Sequence, residues 1–495
     1  MEIRDLLSTL PIANSPLLAA VRDMARQRRT PVILVGGAVR DALLGKPAND
    51  YDIAVQGNPV PVARKVADAL TGDFWLMDAE RGTARVILRD ANKTVIDFAM
   101  CRGATWHADL FARDFSVNAI GYDLDTDELM DPTNGQADLQ ARVIRAVTDH
   151  AISDDPIRAL RAVRLAQKLG FDIEPTTWAQ AQTIGSAIHQ PSAERARDEL
   201  LAMLALPAAT PALRQLDALG LLAQLVPEIE PMRTCTQSPP HQFNVLEHTW
   251  VVMNAMDEIT ERLEIGDWRL RDQSPISSPQ SLLPNLQSHL RQASANATRT
   301  AILKFAALLH DCAKPHTRSE DPDGRIRFFT HEERGAELAA ARAQALKLSG
   351  DEVRNVRTLV RHHMRANQLA RAAEPPSPRS IYRFMREAGQ CAPELALFAI
   401  ADCYGKRGAD TQPGDCADSK AMAARLIEKY FTQFSPQAAP TPLITGRDLI
   451  EMGIAPGKLI GQILERVREA HMTGEISAQG EALAIARQMR LERED

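Results

Sequence analysis

Short apolar runs alternate with longer segments of helical periodicity in the first third of the chain. Val32–Val35 is a brief, β-branched run that ends at Gly36 and Gly37, a pattern that predicts a buried strand. The same reasoning predicts three more strands and one helix: Phe74–Met77, Ala84–Leu88, Thr94–Ala99 and the helix Val60–Leu70. This alternation is typical of an α/β domain.

The segments on either side of this domain have helical periodicity. Residues 1–31 predict an amphipathic helical segment with Leu6, Leu7 and Leu10 among its apolar positions. From about residue 146 onward helices dominate, and one is predicted from Ser153–Pro156 to Leu169, ending at Gly170. A stretch rich in Ser, Gln and Pro, from about 266 to 300, predicts a loop.

Composition restricts the class of protein. The chain has 495 residues, 45% of them hydrophobic, and no uninterrupted apolar run long enough to span a membrane. Residues 1–5 lack the features of a signal peptide, and six scattered cysteines without a Cys-x-x-Cys pair predict reduced thiols and a cytoplasmic location. The formal charge of −6 does not indicate nucleic acid, so RNA binding would require segregated positive charge.

The glycines and two acidic residues that follow Val35 predict a phosphate and metal site. Gly36 and Gly37 allow the backbone to approach an anion closely. Asp50 and Asp52 are two residues apart, which places both carboxylates on one face of a strand. A Gly-Gly pair alone is more often a turn, and Asp-x-Asp alone a solvated loop. Together they suit two divalent ions that hold a nucleoside triphosphate.

One further acidic residue is ambiguous at this stage. Asp97 lies in a predicted strand that would pair near the Asp50–Asp52 strand. It is either a third carboxylate of the site or an edge-strand acid that faces water.

The run Gly-Gly-x-x-Arg-Asp-x-x-Leu-Gly at 36–45, followed by Asp50-x-Asp52, resembles the head of the class II tRNA nucleotidyltransferase and bacterial poly(A) polymerase family. The resemblance implies a polymerase β-like head. It also implies catalytic, Mg²⁺-binding roles for Asp50 and Asp52 and nucleotide contacts from Gly36, Gly37 and Arg40.

Two later segments extend the resemblance. Arg113–Ala119 matches the family's Arg-Asp-x-x-x-Asn-Ala motif, which implies that Arg113 contacts the triphosphate and that Asn118 lies near the sugar. Residues 154–158 resemble the Glu-Asp-x-x-Arg motif, with Asp154 in place of Glu. Asp155 and Arg158 would then be the protein template that selects CTP and afterwards ATP. Arg161 and Arg164 continue a basic stripe that either meets phosphate or a base, or is an ordinary solvated face.

A second constellation lies in the later half of the chain. His310 and Asp311 end an apolar helical run, and with the earlier His248 and the later Asp402 they resemble HD-domain metal hydrolases. His331 and either His362 or His363 are positioned to add ligands. A lone His on an apolar helix is more often a core residue, but histidines with carboxylates in this order suit a divalent transition metal.

Taken together, these patterns predict an α/β nucleotidyltransferase (polymerase β-like) head followed by mostly α-helical neck, HD and tail domains. The expected boundaries are 1–145, 146–235, 236–435 and 436–495. The resemblance implies a cytoplasmic, Mg²⁺-dependent enzyme that adds CMP and AMP from CTP and ATP to the 3′ end of tRNA, with no membrane partner.

Three alternatives stay open. The chain could be a poly(A) polymerase, or an enzyme that adds only CC or only A. The HD domain could carry the main activity, as a phosphodiesterase or phosphatase. The chain could also be a non-catalytic RNA-binding protein, which its acidic net charge disfavours.

Overall fold

A computed structural model describes residues 15–80, 82–239, 241–266, 280–406 and 414–492. The predicted apolar positions Leu6, Leu7 and Leu10 lie outside these ranges. The described chain folds into two compact units. One contains the chain up to Ser192 together with Gln215–Gln224, and the other contains Ala193–Arg214 and the chain from Leu225 onward.

The strands are short and lie mainly in the first unit. In chain order they are β1 Val32–Val35, β2 Asp50–Val55, β3 Asp73–Asp78, β4 Thr83–Ile87, β5 Val95–Met100, β6 Gly121–Asp123, β7 Leu129–Met130, β8 Val143–Ile144, β9 Asp172–Ile173, β10 Arg318–Glu320 and β11 Ile326–Phe328.

The helices of the first 225 residues follow in order. They are α1 Pro16–Gln27, α2 Gly37–Leu43, α3 Val60–Ala69, α4 Trp106–Phe111, α5 Gly135–Ala141, α6 Ala151–Asp154, α7 Ile157–Leu169, α8 Pro175–Gln182, α9 Ala193–Leu204, α10 Thr210–Ala218 and α11 Leu221–Leu225.

The remaining helices belong to the second unit. They are α12 Val245–Glu264, α13 Leu283–Arg291, α14 Arg299–Leu309, α15 Lys314–Thr317, α16 His331–Ala345, α17 Gly350–His362, α18 Arg365–Ala370, α19 Pro378–Ala388, α20 Ala392–Gly405, α21 Ala417–Lys429, α22 Gly446–Glu451, α23 Lys458–Thr473 and α24 Gln479–Leu491.

A seven-stranded mixed sheet organises the first unit. Its strand order is β3-β4-β5-β2-β1-β6-β7, and β2 and β5 pair in parallel while the other neighbours are antiparallel. The interior strand β1 is buried along its whole length, as its β-branched composition predicts. The α/β expectation for the head is therefore confirmed, and the predicted strands lie within one or two residues of their observed bounds.

The two faces of this sheet differ in character. Ala84, Val86, Ile96 and Phe98 point to one side, where they join a large apolar core with residues of α1 and α3. The alternate residues of β4 and β5 point to the other side and are half-buried or exposed. That second face carries Asp50 and Asp52, because Asp52 is paired with Asp97 across β2 and β5.

The second unit is almost entirely helical. Helix α20 is buried at every position, which explains its apolar sequence and places it at the centre of the unit. Residues 267–279 of the loop predicted over 266–300 lie outside the described residues, and the prediction is wrong for Leu283–Arg291, which forms α13. That helix buries Leu286 and Leu290, and their spacing of four places them on one face.

The cysteine prediction also needs a correction. Cys403 and Cys416 form a disulfide, whereas Cys101, Cys235, Cys312 and Cys391 are free. No local sequence pattern indicates this bond, because the two residues come together only when the start of α21 packs against the end of α20. Among the described helices, none combines the length and apolar character needed to cross a membrane.

Candidate functional sites

The turn after β1 brings the backbone against an acidic side chain. Gly36 has a φ of +78°, a conformation that L side chains rarely adopt. A Cβ built at Gly36 would lie 2.8 Å from Oδ2 of Asp52 and 3.5 Å from Nη1 of Arg113. Two independent constraints therefore favour glycine at position 36: the positive φ and the short distance to the predicted catalytic carboxylate of Asp52.

Three carboxylates share the open face of the sheet. Asp50 and Asp52 lie two residues apart on β2, and Asp97 is directly opposite Asp52 on β5. Strand β5 lies inside the sheet between β4 and β2, so the interpretation of Asp97 as an edge-strand acid is wrong. Arg85 of β4 binds Asp97 with both arms of its guanidinium, Nε at 2.7 Å and Nη2 at 2.8 Å.

The surroundings of Asp52 favour a bound cation. Burial raises the pKa of Asp52, Arg113 opposes that rise, and Asp97, Asp50 and Asp114 raise it further. Carboxylate oxygens that converge on one face of a sheet are the donor set that Mg²⁺ prefers. The residues present therefore fit the predicted magnesium site.

Arg113 lies beside these carboxylates, at the end of α4. Its Nε and Nη2 donate to Oδ2 of Asp109 at 3.0 and 2.8 Å, and this ion pair fixes the direction of the guanidinium. The side chain of Asp109 is almost fully buried and that of Arg113 is 16% exposed. An arginine held in this way next to Gly36 and Asp52 is suited to bind phosphate oxygens.

A partly buried chain of hydrogen bonds connects Arg40, Asn118, Asp114 and Arg161. Arg40 donates to Oδ1 of Asn118 at 2.6 Å, and Asn118 donates to Oδ1 of Asp114 at 3.1 Å. Arg161 donates to Oδ2 of Asp114 at 3.0 Å. Burial alone would raise the pKa of Asp114, but Arg161 and Asn118 hold it below its usual value. Arg40 and Arg161 thus contact protein groups in this structure, and their predicted contact with phosphate stays a prediction.

The predicted template residues lie around the start of α7. The chain forms the short helix α6, continues in extended conformation at Asp155, and begins α7 after Pro156. Arg158 donates to the backbone carbonyls of Ala112, at 2.9 Å, and Arg113, at 3.2 Å. Asp155 and Arg164 are half-buried. The helix ends at Gly170 in the left-handed conformation, as predicted.

A second cluster of ligand-type side chains lies in the helical unit. His248 of α12, His310 and Asp311 after α14, His331 of α16 and Asp402 of α20 are all buried. Nε2 of His310 lies 3.0 Å and Nε2 of His248 lies 3.4 Å from Oδ2 of Asp311, and Nε2 of His248 lies 3.5 Å from Asp402. We call these residues, with His363, the histidine cluster.

His363, and not its neighbour His362, belongs to this cluster. Nε2 of His363 and of His331 lie 3.9 and 3.5 Å from Oδ1 of Asp311. These three residues form a second group with metal-ligand spacing. Of the two alternatives that the sequence left open, the geometry therefore places His363, and not His362, among the ligand-type residues. Adjacent residues at a helix end point about 100° apart, so only one of the two can face the cluster.

The four imidazoles present the same nitrogen to the centre of the cluster. The Nδ1 atoms of His248, His310, His331 and His363 each lie 2.7–2.8 Å from a backbone carbonyl, which can only accept a hydrogen bond. Each Nδ1 therefore carries a proton, so Nε2 is the ring nitrogen that remains to bind a metal ion. Nε2 of His248 and Nε2 of His310 face each other at 3.3 Å, an arrangement that a cation between them would stabilise.

Further properties of the cluster fit a metal centre. Within the described residues, both carboxylate oxygens of Asp311 and Nε2 of His331 are buried without a hydrogen bond of normal geometry, although Nζ of Lys314 lies 2.7 Å from Asp311. Burial lowers the pKa of His363 to about 3, which keeps it neutral and able to bind a metal. Asp311 is shared by the two groups and is suited to bridge two ions.

Comparison with known proteins identifies the family. Three family models match: the Poly A polymerase head domain over residues 32–145, the probable RNA and SrmB-binding site of polymerase A over 170–233, and the HD domain over 245–405. The carboxylates lie within the first match and the histidine cluster within the third. The class is therefore a polymerase-type nucleotidyltransferase head followed by an HD domain.

Similar proteins extend over most of the chain. The A-adding tRNA nucleotidyltransferase of Deinococcus radiodurans is 32% identical over 91% of this chain and 94% of its own. The CC-adding tRNA nucleotidyltransferase of Synechocystis is 30% identical over 92% and 93%. The chain belongs to the tRNA nucleotidyltransferase family. A solved complex of a CCA-adding enzyme with ATP shares the fold, with a TM-score of 0.61 at 21% identity over 98% of this chain and 97% of that chain.

Proposed function

We propose that this protein adds CMP and AMP to the 3′ end of tRNA by metal-dependent nucleotidyl transfer, without a nucleic-acid template. The main support is the convergence of Asp50, Asp52 and Asp97 on one sheet face, beside Gly36 and Arg113, in a chain of this family. A cytoplasmic location, where tRNA and both nucleotides are found, is part of the proposal.

The geometry suggests how the residues divide the work. The terminal 3′-hydroxyl of tRNA attacks the α-phosphorus of the nucleotide and pyrophosphate leaves. Mg²⁺ held by Asp50 and Asp52 would supply charge neutralisation for the hydroxyl and the phosphates. Gly36 leaves room for the phosphates, and Arg113 binds them through its fixed guanidinium.

Nucleotide choice is assigned to the start of α7. Asp155 and Arg158 would present acceptor and donor groups to the edge of the incoming base. Arg158 is anchored on the carbonyls of Ala112 and Arg113, so the base-reading and phosphate-binding groups share one short segment. We propose on the same basis that residues 1–145 carry the chemistry and 146–235 the selection.

The direct test is nucleotide incorporation on tRNA that lacks its 3′ end, with Mg²⁺ and CTP or ATP alone and then together. Ordered addition of two C and one A is the expected result. Two C alone or a single A would indicate a partial enzyme, and continued A a poly(A) polymerase. No incorporation would contradict the proposal and move the search to the histidine cluster.

Asp52→Asn is the matching variant. We expect addition to fall by at least about 1000-fold because the carboxylate that holds the metal is lost. Affinity for tRNA should stay within about twofold, since a single head residue changes and the phosphate contacts of RNA remain. Retained addition would remove Asp52 from the reaction, and lost addition with lost tRNA binding would indicate a folding defect.

We propose a second activity, hydrolysis of phosphoesters, for the histidine cluster. The observation that favours it is the set of four Nε2 atoms converging on Asp311, whose oxygens are buried without a hydrogen bond of normal geometry among the described residues. Mixed imidazole and carboxylate ligands suit a divalent transition metal, and two ions sharing a carboxylate suit phosphoester cleavage.

Metal content and hydrolysis of bis(p-nitrophenyl) phosphate with Mn²⁺, Co²⁺ or Ni²⁺ test this second activity. His363→Ala should lower both, because it removes one ligand of the second group. His362→Ala is the matched control, one residue away and outside the cluster, and should change neither. Equal effects of the two substitutions would contradict the assignment.

A further inference from the structure

An exposed tryptophan lies on the outermost strand of the head. Trp75 of β3 is 58% exposed, the highest value among the exposed large side chains of that strand. Strand β3 is the edge of the sheet, three positions from β2. Tryptophan is costly to leave in water, so this degree of exposure at a sheet edge indicates a binding role.

The strand register connects Trp75 to the catalytic carboxylates. Trp75 is directly opposite Arg85, Arg85 is opposite Asp97, and Asp97 is opposite Asp52. Directly opposite residues of a sheet point to the same face. We call Trp75, Arg85, Asp97 and Asp52 the cross-sheet row. It spans three gaps of about 4.8 Å, so its ends are about 14 Å apart.

The chemistry of the cross-sheet row matches a single strand of nucleic acid. Carboxylates alone would repel RNA, but Arg85 is bound to Asp97 with both arms and offsets its charge. The Arg85 side chain is 39% exposed, so a phosphate can approach it. An arginine beside an exposed aromatic ring is the combination by which proteins hold unpaired nucleotides, through charge and base stacking.

We propose that the cross-sheet row guides the single-stranded acceptor end of the tRNA to Asp52, with a base upstream of the reacting nucleotide stacked on Trp75. This inference rests on the proposed nucleotide addition, because the strand must reach the carboxylates with its 3′-hydroxyl. Trp75 and Arg85 are then positioning residues for the RNA, distinct from the residues that bind the incoming nucleotide.

The other reason for an exposed edge strand would be pairing with a second protein strand. One feature of β3 disfavours it. Its register is irregular between Leu76 and Asp78. Irregular edges hinder strand addition. The RNA strand is therefore the occupant that the geometry favours.

The test compares Trp75→Ala, Trp75→Phe and Leu76→Ala. Leu76 is the matched control because it is 48% exposed on the same strand but points to the opposite face. For Trp75→Ala we expect the KM for tRNA to rise about tenfold, the size of one lost base–aromatic stack. The kcat and the KM for nucleotide should stay within about twofold, because Trp75 touches no reacting group. Trp75→Phe should restore most of the affinity, and Leu76→Ala should behave as wild type.

The length of the unpaired end provides a sharper readout. Three substrates are compared, namely tRNA lacking its last one, two or three nucleotides. Trp75 lies about 14 Å from Asp52, so the penalty of Trp75→Ala should be largest for the longest unpaired end and smallest for the shortest. An equal penalty for all three would contradict the proposal.

Other outcomes separate this inference from the function on which it rests. An unchanged KM for tRNA in Trp75→Ala overturns the inference. If light scattering also shows a changed oligomeric state of that variant, β3 is instead a contact with a protein partner. If wild type adds no nucleotide, the proposed function fails. Weaker tRNA binding by Trp75→Ala in a direct binding assay would then still support the cross-sheet row as an RNA contact.

Discussion

Contacts with neighbouring side chains determine the conformation of individual residues in the head site. Gly36 is held at positive φ against Asp52, and Arg113 is aimed by its ion pair with Asp109. Asn118 lies between Arg40 and Asp114, so its orientation is fixed at both ends of the amide. Small changes at these positions should therefore affect chemistry before they affect folding.

Gly36→Ala tests this at the residue scale. The new Cβ would lie 2.8 Å from Oδ2 of Asp52 and would push the carboxylate from its place, so kcat should fall about 100-fold or more. Gly45→Ala is the matched control. Gly45 has a φ of +69° with nothing within 4 Å of its Cβ position, so it shares only the backbone strain of about 1–2 kcal/mol. Equal losses of activity would mean that strain, and not contact with Asp52, explains the effect.

At the scale of elements, helix α7 connects the residue proposed to read the base with the residue proposed to bind phosphate. In the first turn of α7, Arg158 donates a hydrogen bond to the backbone carbonyl of Arg113. In the second turn, Arg161 donates a hydrogen bond to the carboxylate of Asp114. Two arginines of the basic stripe predicted from the sequence, Arg158 and Arg161, thus donate hydrogen bonds to protein groups. A helix anchored at both positions can hold a base-reading group at a fixed distance from the phosphates.

Arg158→Ala should scramble base choice more than it slows the reaction. Removing the guanidinium takes away a donor to the base, whereas the carboxylates and Arg113 remain. We expect the preference for CTP and ATP over UTP to fall about tenfold or more, with a smaller change in kcat. Lys168→Ala, an exposed position on the same helix, is the control. An unchanged preference among CTP, ATP and UTP would remove Arg158 from the template role.

Helix α17 provides a prediction for stability. Glu352 is fully buried in the capping box with Ser349, and it also accepts hydrogen bonds from the Ser294 hydroxyl and from Asn296. Burial would raise its pKa, but these hydrogen bonds lower the pKa of Glu352 to about 2. Because the folded pKa lies below the unfolded value, the stabilisation is complete above about pH 4.5 and is lost as pH falls towards 2.

The unfolding temperature of Glu352→Gln across pH checks this. At pH 7 the variant should unfold at a lower temperature than wild type, because the shift in the pKa corresponds to about 3 kcal/mol of stabilisation by the ionised carboxylate. The difference should shrink as the pH is lowered from 4.5. Glu374→Gln, at an exposed loop position, should show no such change. A difference that is constant with pH would mean that the side-chain ionisation is not involved.

At the scale of the whole molecule, the two sites belong to different compact units. The carboxylates lie in the unit that contains the chain up to Ser192, and the histidine cluster lies in the other. Each unit has its own apolar core, and each site is built from residues of one unit. The two chemistries should therefore depend on separate sets of residues.

This separation predicts additive behaviour. Asp52→Asn should stop nucleotide addition and leave the metal content of the histidine cluster unchanged. Asp402→Asn should lower the metal content of the histidine cluster and leave nucleotide addition unchanged. The double variant should show both losses and no more, because sites without shared partners act independently. Loss of nucleotide addition in Asp402→Asn with normal tRNA binding would instead reveal coupling between the units.

Local features of the chain were largely predictable from its sequence. Val32–Val35, the Gly36 turn and the end of α7 at Gly170 follow from short-range periodicity and backbone preference. The same-face spacing of Asp50 and Asp52 needs only the two-residue period of a strand. The resemblance to the family was also detectable in the sequence, because the motifs that carry it are short and local.

The tertiary structure alone decided which distant residues meet. Asp97 faces Asp52 because β2 and β5 pair in one parallel register, and a shift of one residue would have turned it into the core. The choice of His363 over His362, the joining of Cys403 to Cys416 and the alignment of Trp75 with the carboxylates have the same origin. Sequence periodicity fixes the direction of a side chain within its own element, but long-range packing determines what that side chain faces.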